Sequence, residues 1–224
     1  MSMRTLVLSA ILPATLVAAP YAALQSRPAA LAVQVNVATL HAAALTTARD
    51  GADRGDQPYL LASILGPGAA TSTARLPNDG HLGIQLDEAV GPRPLASLSL
   101  APGEHARLVI AALEGPKADM ALEGRVAAAS TTRPDETPAS LGSRLASVMA
   151  PLTARGDHWL GAALLDVANE AGTVRWRTFA CLATCEVLSA PEAPKTPDAP
   201  LSGVIELTGA GGTYHLKVET RTGH

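Results

Sequence analysis

The chain has 224 residues, of which 47% are hydrophobic and 17% charged but only 3% aromatic, and its formal net charge is −3 at pH 7. So few rings argue against the stacking surfaces of lectins and single-strand-binding proteins, and the scattered Lys and Arg give no electrostatic footprint for nucleic acid. The length suits one ordinary domain, with a core built from Leu, Val and Ile.

Residues 1–23 have the layout of a secretory signal peptide. Arg4 supplies a positive start, Leu6 to Ala19 is an uncharged apolar run, and small residues follow at Ala18, Ala19, Ala22 and Ala23. The competing reading is an uncleaved anchor, because the stretch to Leu24 approaches spanning length; Pro13 and the many alanines weaken it. A spacer at 24–30 then leads into a single domain at 31–224, which has no second apolar run of spanning length. The expected location is the periplasm or the exterior.

Within that domain, Leu31, Val33, Val35 and Val37 alternate with Ala32, Gln34, Asn36 and Ala38, the period of a strand with one buried face. Similar runs at Tyr59 to Leu65, Leu82 to Leu86, Leu95 to Leu100 and Arg107 to Leu113 are bounded by turn residues such as Asn78-Asp79-Gly80 and Pro102-Gly103. The segment 116–152 changes rhythm. Leu141, Leu145, Val148 and Met149 follow helical spacing, with Asp135 or Thr137 as a cap and Pro138 in the first turn. Strand patterning resumes at Leu160 to Val167, Thr173 to Cys181, Val204 to Leu207 and Thr213 to Thr220. The last two are joined by a glycine-rich link, which reads as a hairpin and not a phosphate cradle because a strand follows it. The predicted fold is mainly β: an antiparallel β-sandwich of about eight strands with a helical insertion in the middle.

Four segments resemble exported bacterial proteins of unassigned function with a C2-like β-sandwich: Gly55-Asp56-Gln57-Pro58-Tyr59-Leu60, Leu108 to Glu114, Asp157 to Gly161 and Leu207 to Val218. The resemblance implies acidic loops at one end that in C2-like domains hold calcium. Gln57 stands where a carboxylate is expected, and His158 where a second Asp is.

Three groups of residues are chemical candidates. Cys181 and Cys185 would lie roughly 13 Å apart in one straight strand, so a disulfide requires Leu182-Ala183-Thr184 to turn, as a closed hairpin tip. A redox pair or half of a metal site is the alternative. Asp53, Asp56 and Asp157 are the calcium candidates, against the plainer reading of solvated loop carboxylates. His41, His81, His105 and His215 are dispersed and lack the helical spacing of a zinc hydrolase, and no Gly-x-Ser-x-Gly elbow occurs. The expected function is therefore an exported noncatalytic module that binds an unknown protein or small ligand of the cell envelope. The alternative is a hydrolase whose site assembles from distant segments.

Overall fold

A computed structural model describes residues 29–46, 55–115, 120–131, 133, 136–153, 158–191 and 199–223. The expected signal peptide at 1–23, Asp53, Asp135 and Asp157 lie outside these residues. Eleven strands and two helices are described: β1 (Leu31–Ala44), β2 (Pro58–Leu65), β3 (Thr71–Leu76), β4 (Ala89–Val90), β5 (Arg93–Leu100), β6 (His105–Glu114), α1 (Met120–Ser130), α2 (Pro138–Thr153), β7 (His158–Glu170), β8 (Thr173–Ala183), β9 (Cys185–Ser189), β10 (Leu201–Leu207) and β11 (Thr213–Gly223). They form two antiparallel sheets. In one, the order is β4-β1-β11-β10-β9, with β5 also paired to β1; in the other it is β3-β2-β6-β7-β8.

The first sheet keeps the alternation legible in its sequence. Val33, Val35, Val37, Leu40 and Ala42 point into the sandwich beside Ile205, Leu207, Tyr214, Leu216 and Val218. Their neighbours face outward, as expected of an antiparallel sheet with one wet face.

The central strands of the second sheet, β2, β6 and β7, are buried on both sides, and this is where the helical insertion sits. Leu60, Leu108, Ile110, Ala163 and Leu165 pack toward the first sheet. Tyr59, Leu61, Val109, Ala111, Leu113, Trp159 and Leu164 pack against Val126, Leu141 and Leu145 of the helices. Double coverage explains why β6 and β7 read as near-continuous apolar runs. Thr137 caps α2, its hydroxyl accepting from Ser140 N–H at 3.2 Å. At α1, Arg75 of β3 donates to Glu123 (3.0 Å) and lies over the Tyr59 ring. Gly142 of α2 is close to the backbone of β8, where an added Cβ would run into the carbonyl of Leu182.

Polar ties also cross between the sheets. The Trp176 indole N–H donates to Thr220 (2.8 Å), and buried Asn169 donates to the Leu100 carbonyl (2.8 Å) while accepting from Gly172 N–H (2.9 Å).

Several local expectations need correction. Leu82 to Leu86 forms no strand. Its buried Leu82 and Ile84 plug the end of the core from a loop whose single bridge is Ile84 to Asp56. β3, β4 and β9 carry no sequence signal: β3 is a polar edge, and the other two are short. The disulfide Cys181–Cys185 is formed, with Cα atoms 5.6 Å apart, but it does not close a hairpin tip. It spans a corner at which the chain leaves β8 in one sheet and, after the single residue Thr184 with φ 48°, enters β9 in the other. The hairpin between β10 and β11 is present as expected. Its Gly209 is required by contact, since a Cβ there would strike the backbone of Trp159 and Leu160.

Candidate functional site

β6 carries a polar cluster near each of its ends, roughly 30 Å apart at about 3.3 Å per residue. The first cluster contains the calcium candidate Asp56. This residue precedes β2, and Glu114 ends the adjacent β6; both are buried. Asp56 Oδ2 accepts from Thr46 N–H (2.7 Å) and from the Tyr214 hydroxyl, and Oδ1 accepts from Thr46 Oγ1 (2.9 Å). Thr46 Oγ1 also lies 3.2 Å from Glu114 Oε2, so its one proton is shared between two carboxylates. Burial, and then the hydrogen bond to Asp56, push the Tyr214 phenol far above its ordinary value. Both oxygens of Asp56 are thus already engaged in pinning the loop before β2 to β11. Among the described residues no three His, Cys, Asp or Glu side chains form a group that could hold a metal ion. Asp53 and Asp157 fall outside the described residues, so of the three candidate aspartates only Asp56 is described.

The second cluster opens onto space. A cavity of about 340 Å³ is lined by Leu65 to Gly68 after β2 and by Gly103, Glu104, His105 and Arg107 at the start of β6. Such a volume lies at the small end of ligand-binding cavities, about 300–1,000 Å³. Buried Asp166 of β7 organises the polar wall. It accepts from Nδ1 of His105 (3.0 Å) on one oxygen and from Nε of Arg107 (3.1 Å) on the other. Arg107 is further fixed by donating to the carbonyls of Arg133 and Glu136 (3.1 and 3.3 Å). Glu104 accepts from Ala101 N–H (2.8 Å), which closes the turn before β6.

His105 with Asp166 is a base held by a carboxylate, two parts of a hydrolytic triad. Among the described residues the cavity wall contains no Ser, Thr or Cys to serve as a nucleophile. In the sequence His105 is one of several dispersed histidines. Asp166 could not be connected with it, because a separation of 61 residues hides the pairing of β6 and β7. No protein-family model matches the chain, and no curated protein shows significant similarity to it.

Proposed function

We propose that this chain is an exported noncatalytic binding module of the cell envelope, with its ligand in the cavity beside His105 and Arg107. The observation that carries this reading is the cavity itself, whose polar wall is preset by Asp166 before any ligand arrives. Imidazole and guanidinium edges beside Leu65 and Pro67 suit a small molecule with an acceptor-rich polar end and a short apolar body, and Glu104 in the wall and Asp166 behind it offset the positive charge.

The test is ligand-observed NMR of the full chain against a panel of small aliphatic amides, sulfoxides and carboxylates, with His105→Ala as the comparison. Saturable binding that the substitution weakens at least tenfold is expected. No binding across the panel, or binding indifferent to His105, would overturn the assignment.

A second reading is favoured by the His105–Asp166 pair alone: a hydrolase whose nucleophile enters from outside the described wall. It predicts turnover of simple esters that His105→Ala abolishes, whereas the binding module shows none.

A further inference from the structure

The outer face of the first sheet carries a row of donor side chains that chain order conceals. In the register of the sheet, His41 of β1 lies directly opposite His215 of β11, His215 opposite Glu206 of β10, and Glu206 opposite Glu186 of β9. All four face outward, because Leu40, Ala42, Leu216, Tyr214, Ile205 and Leu207 beside the first three are in the core and Cys185 and Val187 beside Glu186 pack against it. Two imidazoles and two carboxylates thus cross four strands in one line.

We propose that this row binds a borderline divalent cation, Zn²⁺ or Cu²⁺, through His41 and His215, with Glu206 positioning His215. The two ring centres lie 5.6 Å apart. An imidazole nitrogen binds zinc at about 2.0–2.1 Å, which puts the ring centre about 3.2 Å from the ion, so two rings on one ion have centres about 4.5–6.4 Å apart. The observed separation falls inside that span without movement of either strand. Glu206 accepts from Nε2 of His215 at 3.1 Å, leaving Nδ1 as the metal-binding atom. A carboxylate holding the far nitrogen of a ligating imidazole is the usual supporting arrangement.

The charge pattern points the same way. Glu206 and Glu186 sit directly opposite each other, a like-charge pair that costs stability on an exposed sheet. Lys217, the next outward residue on β11, is engaged with Glu219 at 3.0 Å. A cation at the histidine end of the row would offset that repulsion. Among the described residues no three His, Cys, Asp or Glu side chains form a group that could hold an ion, so the proposed site has two imidazoles as its protein ligands, with water completing the shell. Nitrogen donors select Zn²⁺ or Cu²⁺ over Ca²⁺ and Mg²⁺.

Calorimetric titration of the tag-free full chain tests this. One equivalent of Zn²⁺ is expected to bind, with at least a tenfold loss of affinity in His41→Ala and in His215→Ala and a 10–100-fold loss in Glu206→Gln. The Cu²⁺ complex is expected to show hyperfine coupling to two nitrogens in electron paramagnetic resonance, and one nitrogen in either histidine variant. Calcium and magnesium should produce no heat from this face. Undiminished affinity in the doubly substituted chain, a signal without nitrogen coupling, or failure of both transition metals to bind would overturn the proposal. Each substituted side chain faces solvent, so circular dichroism should match the parent and misfolding is read separately.

Discussion

Tyr214→Phe should change both the size of the stability and its pH dependence. Tyr214 is fully buried and donates to the Asp56 carboxylate. Phenylalanine keeps the ring and removes only the donor. A hydrogen bond to a charged group contributes about 1.5–3 kcal/mol, so the variant should be about 2 kcal/mol less stable at pH 7. Above pH 10 the two proteins should converge. The unfolded chain loses the phenolic proton near its ordinary pKa of 10.0, whereas the folded chain holds it well beyond that value. Unfolding then releases one proton, and wild-type stability falls by about 1.4 kcal/mol per pH unit, a slope the variant lacks at this position. By pH 11 the loss reaches about 1.4 kcal/mol, shrinking the gap to roughly 0.6 kcal/mol. Urea denaturation of both proteins at pH 7, 9, 10 and 11 measures this directly. Parallel stability curves across pH 9–11, or a gap below about 0.5 kcal/mol at pH 7, would refute the reasoning, since either would mean that the phenol is not a donor held in a dry site.

Two further predictions concern the layers around that core. Replacing both Cys181 and Cys185 with Ala should lower stability by about 2 kcal/mol, the chain-entropy value for so short a loop, and chemical denaturation with and without reductant should return the same difference for the parent. Gly142→Ala should cost at least about 1–3 kcal/mol, because the new methyl meets the Leu182 carbonyl and α2 must lift from β8; a thermal midpoint equal to the parent's would show that the helix layer yields without cost.

What the residues alone revealed was the part of the fold with a single wet face. β1, β8 and β11 announce themselves by alternation, and α2 by its Leu141–Leu145 spacing, since each buries one side and exposes the other. β6 was recognisable as a strand, but its Leu-Val-Ile-Ala-Ala-Leu run did not say which layers cover it. Thr71 to Leu76 was invisible because an edge strand with hydroxyl side chains looks like a loop. Leu82 and Ile84 misled for the opposite reason: they alternate because they plug the core, without a strand around them. The cysteine spacing correctly demanded a turn, but a turn is common to hairpins and sheet-to-sheet corners, and only the pairing of β9 with β10 distinguishes them. The polar clusters were beyond reach. His105 meets Asp166, and His41 meets His215, through strand pairings set by the packing of the whole domain.

The single-residue step from β8 to β9 makes the two long sides of the sandwich unequal. On that side one residue and a disulfide join the sheets, while on the opposite side β3 reaches the other sheet only through the longer segment 77–88 before β4. Thr184 is therefore the shortest crossing between the sheets, ahead of the four-residue step from β5 to β6. Amide protons of β3, an exposed edge without such a staple, are expected to exchange with solvent before those flanking the disulfide in β8 and β9, as hydrogen exchange would show.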